Sequence, residues 1–155
     1  MARRAVRRTP ALATLLAVSA AVAGCGPVDV TRSRLEGAVG PTFANLYVVQ
    51  QSLLGRPAGA ASDVGARATC QKGGPGTPDE GAGENWVCTV FGTVAFVRAD
   101  GGVIQRLRYE VNAKPDGCYT ATGAPQVVGL QTLQAPGGDT VVNPLYEFDG
   151  CFDTT

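Results

Sequence analysis

The chain has 155 residues, with 13 basic and 13 acidic side chains, five cysteines and no histidine. That length supports one hydrophobic core but not comfortably two, and the missing histidine excludes Ser-His-Asp and Cys-His catalysis. The formal neutrality is the sum of two unlike parts.

Arg3, Arg4, Arg7 and Arg8 stand in the first ten residues without an acidic neighbour, and an uncharged run follows from Ala11 to Ala23. A basic start and a short apolar core form an export signal, too short to cross a hydrocarbon layer of about 30 Å as a helix. Val22, Ala23 and Gly24 then lead into Cys25. A branched apolar residue and two small residues ahead of a cysteine resemble the bacterial lipobox, whose thiol takes diacylglycerol as a thioether before the signal is cut ahead of it. Residues 1–24 are therefore expected to be removed, Cys25 to become the lipidated first residue, and 25–32 to serve as a lipidated tether. Each buried methylene contributes about 0.8 kcal/mol and one chain holds only marginally, so a multiply acylated terminus makes a stable anchor. The two arginine pairs raise twin-arginine export. No hydrophobic-lysine continuation follows them, so the general secretory route is expected.

Without residues 1–24 the chain has nine basic and 13 acidic side chains, a formal charge of −4. A mildly acidic surface without basic clusters argues against nucleic acid and against an electrostatic membrane patch, leaving the lipid as the membrane contact. With Cys25 assigned to the lipid, Cys70, Cys88, Cys118 and Cys151 form an even set, which in a small exported domain reads as two disulfides. Of three connectivities, 70 with 88 and 118 with 151 is preferred, each joining a strand to the next or closing the carboxyl end. A zinc site is disfavoured, since the chain has neither histidine nor Cys-x-x-Cys spacing, and no cofactor is expected.

Ser33-x-x-Glu36 has the spacing of a capping box and opens a helix. Leu35, Val39, Phe43, Leu46, Tyr47, Leu53 and Leu54 recur at three- and four-residue intervals, which turns one face to a core. Gly40-Pro41 predicts a kink or break, and Gly55 with Pro57 an end. A connector from Arg56 to Val64 leads to a strand from Ala66 to Gln71, then a Gly/Pro/acidic loop from Lys72 to Asn85. Trp86 to Phe91 reads as a second strand. Val94 to Arg98 and Val103 to Asn112 flank Asp100-Gly101-Gly102 as a hairpin. Lys114-Pro115-Asp116-Gly117 is a tight turn into Cys118 to Thr122. Gln126 to Gln134, Thr140 to Asn143 and Leu145 to Phe152 read as further short strands, with a turn at Pro136 to Asp139. The expectation is an α+β domain over 33–155: one long N-terminal helix packed on an antiparallel sheet of about five or six short strands, with Trp86 and Phe148 inside.

Candidates for chemistry are few. Glu110, Glu147 and Asp149 could line a groove as acid and base, although solvated strand carboxylates give the same pattern. Gly73-Gly74-Pro75-Gly76 lacks the Gly-Lys-Ser/Thr of a phosphate loop. Asp79, Glu80 and Glu84 lack the ordered pattern of a calcium loop. In the carboxyl-terminal stretch, Tyr146, Phe148 and Phe152 fall on one strand face and Glu147, Asp149, Cys151 and Asp153 on the other. It reads first as a closing strand, and otherwise as a binding rim built on Glu147 and Asp149.

Taken together, the lipobox, the early helix, Trp86-x-Cys88-Thr89-Val90, Pro115-Asp116-Gly117-Cys118-Tyr119 and Asn143-Pro144-Leu145-Tyr146-Glu147-Phe148-Asp149-Gly150 resemble small uncharacterised lipoproteins of high-G+C actinobacteria. The resemblance implies attachment to the extracytoplasmic face of the cell membrane and brings no catalytic residue with it. The functional expectation is a lipid-anchored, non-enzymatic binding or structural module of the cell envelope, meeting a protein, a polymer or a small ligand. A carrier of a lipid or other apolar ligand in a helix–sheet pocket, and a carboxylate-dependent hydrolase, are the alternatives.

Overall fold

The computed structural model describes residues 29–152; the expected signal, Val22, Ala23, Gly24, Cys25 and Asp153 lie outside them. Helix α1 spans Arg32–Leu53 and is capped by Thr31, whose side chain accepts the N–H of Arg34. The expected Ser33–Glu36 capping box does not form. Glu36 instead accepts the backbone N–H of Cys70 at 2.8 Å, satisfying a donor that an outermost strand would leave unpaired. Gly40-Pro41 does not divide the helix. Gly40 is buried, and a Cβ there would lie 3.0 Å from both the Ala66 carbonyl oxygen and the Arg67 Cα, so it admits a strand backbone to the helix. Pro41 is exposed. Buried Leu35 and Val39 before it, and Phe43 and Ala44 after it, hold both adjoining turns against the core. The helix ends as expected: Gly55 takes φ +66°, and the N–H groups of Gly55 and Arg56 return to the carbonyls of Ser52 and Gln51.

The rest of the chain forms helix α2 (Ala61–Val64), strands β1 (Arg67–Lys72), β2 (Gly83–Val97), β3 (Val103–Ala113) and β4 (Cys118–Gly123), helix α3 (Pro125–Val128), and strands β5 (Thr132–Gln134), β6 (Thr140–Val142) and β7 (Glu147–Cys151). One antiparallel sheet has the order β1-β2-β3-β4-β7, while β5 and β6 form a separate ribbon. The α+β arrangement of one long helix on an antiparallel sheet is as expected. Three details differ. The connector contains α2, the stretch at 126–134 opens with α3 because Pro125 presets the first helical position, and the two strands expected at 86–91 and 94–98 are one 15-residue strand. That strand is bulged: Phe91 pairs with Arg106, but the next pair is Phe96 with Ile104. Beyond the bulge Phe96 is buried edge-on against Phe43 and Tyr47, and Ile104 packs on the same core. Alternation alone would put Ile104 on the side of Arg106. The bulge twists the hairpin tip over onto the core.

Helix α1 touches β1 and β2 and also β7, so both edges of the sheet curl toward it. The concave side holds Trp86, Val90, Leu107, Tyr109, Val111, Tyr119, Ala121 and Phe148 against Leu35, Val39 and Phe43, with Trp86 and Phe148 inside as expected. Each valine, leucine or phenylalanine among them contributes about 1.5–3 kcal/mol when fully buried. The polar tips are satisfied: Trp86 Nε1 donates to the Gly81 carbonyl at 3.1 Å, Tyr109 to the Leu145 carbonyl at 3.1 Å, and Tyr119 to Thr42 Oγ1 at 3.1 Å. Cys70 faces Cys88 and Cys118 faces Cys151 in the ladder, and each pair is a disulfide.

Candidate functional site

Strand alternation sends every second residue of the sheet to a convex side away from α1, where Arg108, Glu110 and Thr122 border an open depression of about 380 Å³ with Ala124, Pro125, Val127 and Tyr146. Side chains directly opposite each other on neighbouring strands share a face, so the ladder registers define its rows. Arg67, Phe91 and Arg106 form the first row, and Thr69, Thr89 and Arg108 the second. Gln71, Val87, Glu110, Thr122 and Glu147 form the third. Asn112, Thr120 and Asp149 follow, and the Cys118–Cys151 disulfide closes the face. Cys70 and Cys88 lie on the opposite, buried side.

The face is polarised. Arg67, Arg106 and Arg108 surround the half-buried Phe91 at one end, all three exposed. By strand geometry Arg106 and Arg108 rise about 7 Å apart, and Arg67 stands two strands away, about 10 Å. Among the described residues the ion pairs are Arg32–Asp79 and Arg98–Asp100, and none of the three arginines has a carboxylate partner. This corrects the expectation of a surface without basic clusters. Arg106-x-Arg108 shows the period-two spacing of one strand face, but Arg67 joins it only through the β1–β2–β3 register, which a linear reading does not contain.

Glu147 and Asp149 lie at the opposite corner, both exposed. Asp149 accepts from the Thr120 hydroxyl at 2.5 Å and Glu147 from the Thr122 hydroxyl at 3.2 Å. Glu110 shares the row of Thr122 and Glu147. Glu110 lines the depression beside Tyr146 while Glu147 and Asp149 stand outside its lining, so the three carboxylates share one face without enclosing a substrate between acid and base. Phe148 and Phe152 are buried and Tyr146 half-buried, so the aromatics of the closing stretch serve the core.

The acidic loop is structural. Asp79 pairs with Arg32 and accepts the Lys72 backbone N–H at 2.6 Å, while the Lys72 ammonium donates to the carbonyls of Glu80, Gly81 and Ala82. Gly81 N–H in turn bonds the Val30 carbonyl at 2.7 Å. The loop thus clamps the start of the described chain to the end of β1. Gly73 and Gly76 take positive φ as turn glycines. Between helix and sheet, the space lined by Phe43, Tyr47, Gln50, Phe96, Leu107 and Leu145 measures about 10 Å³, smaller than one acyl chain by more than an order of magnitude. The larger depressions are shallow and open. One of about 470 Å³ lies where Asp29–Thr31 meets Glu80 and Pro115, and another of about 470 Å³ lies between α1 and Phe152. No described helix is long and apolar enough to cross a membrane.

Comparison of the chain with protein-family models, curated proteins and solved structures found no match.

Proposed function

We propose that the chain is a lipid-anchored extracytoplasmic module that binds a component of the cell envelope without chemical turnover, using the open convex face of its sheet. The observation that carries this reading is the contrast between the two faces. The concave side is filled by aromatic and aliphatic side chains, while the convex side is wide, polar and polarised in charge. A filled interior gives no support to a carrier, and carboxylates on an open surface give none to a hydrolase. Two disulfides favour an oxidising compartment, consistent with an export signal ahead of Cys25. The fold begins within a few residues of that cysteine, at Val30 and Thr31, so the tether holds the domain close to the membrane surface.

Two measurements on the expressed lipoprotein test the proposal. The protein is expected to carry the mass of acyl chains and to partition into detergent, and Cys25→Ala to abolish both; unchanged mass and partitioning would refute the anchor. A photo-crosslinking residue at Thr89, on the convex face, is expected to give adducts in native membranes, and one at Gly74, in the loop, to give none. Equal silence from both positions would refute binding through the sheet face.

A further inference from the structure

Resting on the proposed use of the convex face, we infer that Arg67, Arg106 and Arg108 with Phe91 form a binding site for an acidic glycan, a sugar polymer carrying carboxylate groups. Three arginines from two strands share one face of a chain that is net acidic without residues 1–24, and none forms an ion pair with a described carboxylate. Arg67 and Arg106 stand on either side of Phe91 about 10 Å apart, a grouping of like charge that a bound anion relieves, while Glu110, two residues beyond Arg108 on the same strand face and about 7 Å from it, offsets part of the charge there. A guanidinium offers its donors as a planar fork that matches a carboxylate. Phe91, flanked by Arg67 and Arg106, supplies an apolar platform for the carbon-bound hydrogens of a sugar ring. Thr69 and Thr89 in the adjacent row supply hydroxyls that donate to and accept from sugar hydroxyls. Spaced acids, hydroxyls and a flat apolar ring edge are together the chemistry of an acidic sugar unit. The β2 bulge begins immediately after Phe91 and turns the strand away, leaving that ring at the rim of the face and open to a long polymer.

Other polyanions fit less well. An anionic membrane would have to meet the end of the sheet that bears the tether, but Val30 is clamped at the Lys72 end of β1 and Arg67 stands at the other, about 17 Å away. A nucleic acid calls for a cationic track with several stacking rings, and this site has three cations and one ring. A second copy could offer its own Glu147 and Asp149, but the sheet curls away at both edges, so two convex faces touch along a narrow strip.

The test uses the full lipoprotein in neutral detergent, with polygalacturonate as the acidic glycan, dextran as the neutral one, and oligothymidylate and phosphatidylglycerol mixed micelles as the other polyanions. Polygalacturonate is expected to bind at about 50 mM salt and to be released by about 300 mM, and dextran not to bind. Combined Arg67→Gln, Arg106→Gln and Arg108→Gln is expected to weaken binding by at least about tenfold. Phe91→Leu should weaken it by a smaller factor, and Glu147→Gln with Asp149→Asn should leave it intact. Circular dichroism and non-reduced mass check that each variant is folded; should the triple variant fail, Arg106→Lys, which keeps the charge and loses the fork, is expected to weaken binding on its own. Equal binding by the arginine variants overturns the inference, as does tighter arginine-dependent binding of oligothymidylate or phosphatidylglycerol, or arginine-dependent dimerisation in sedimentation. Adducts from Thr89 with no polygalacturonate binding would overturn this site while leaving the envelope-binding role in place; absence of both would remove both.

Discussion

The Gln50 side-chain amide donates to Asn143 Oδ1 at 2.8 Å, joining the last turns of α1 to the segment between β4 and β7. Both residues are fully buried. Asn143 Nδ2 donates to the carbonyls of Val128 and Leu130, and its Oδ1 also accepts the N–H of Leu145 at 3.1 Å. Gln51 extends the chain of bonds to the Gln50 oxygen and the Val97 carbonyl.

Asn143→Leu keeps the branched shape while replacing the amide by two bulkier methyl groups, and it strands several buried donors and acceptors at once. An unsatisfied buried group costs about 1–3 kcal/mol, so urea denaturation is expected to show a loss of about 3 kcal/mol with an unchanged slope. A loss below about 1 kcal/mol would mean that the network contributes little to holding the helix end.

Gly37 and Gly40 sit on the same helix in different surroundings. Nothing lies within 4 Å of a Cβ at Gly37, while one at Gly40 meets backbone atoms of Ala66 and Arg67 at 3.0 Å. Gly37→Ala is expected to stabilise the protein by up to about 1 kcal/mol through helix propensity. Gly40→Ala is expected to destabilise it by about 1–3 kcal/mol, because backbone cannot step aside as a flexible side chain can. Thermal melts of the two variants should move in opposite directions, and a shared direction would refute the close approach of helix and strand.

The two disulfides differ in access. Cys70 and Cys88 are buried beneath α1, whereas Cys151 is exposed and Cys118 partly so. Exchange requires a thiolate to reach a sulfur. Mild reductant on the folded protein should therefore open Cys118–Cys151 first, leaving Cys70–Cys88 closed until denaturant is added. Alkylation and peptide mass mapping would read the order, and simultaneous opening would contradict it. The chain-entropy relation assigns about 4 kcal/mol to the longer loop and about 3 kcal/mol to the shorter.

Burial pushes the Tyr109 phenol well above the ordinary tyrosine range. Tyr119 is raised chiefly by burial, opposed by its hydrogen bond with Thr42 and reinforced by the charge of Asp149. Both favour the protonated form in the folded state, so their contribution is complete below the unfolded value of about pH 10. As pH rises beyond it, the unfolded chain sheds protons that the folded chain keeps, and stability falls. Urea midpoints are expected to drop between about pH 9 and about pH 11, and the drop to be smaller in Tyr109→Phe. An equal drop in the variant would remove Tyr109 from the cause.

The sequence by itself determined the features that rest on local periodicity and turn chemistry. The face of α1 follows from its three- and four-residue spacing, the β2–β3 hairpin from Asp100-Gly101-Gly102, and the preferred cysteine pairs from the strands that carry them. Those signals lie within a few residues of what they specify. Ser33-x-x-Glu36 has the local spacing of a cap, but the partner of Glu36 is the Cys70 amide 34 residues away, and Gly40-Pro41 has the local composition of a break, but strand β1 packs against Gly40 and the core holds the turns on both sides. Only the tertiary structure brought Arg67 to Arg106 and Arg108, since cross-strand register depends on which strands pair and where a bulge falls. The filled core and the open, charged face likewise arise from long-range packing, in which a helix closes one side of a curled sheet and leaves the other to solvent.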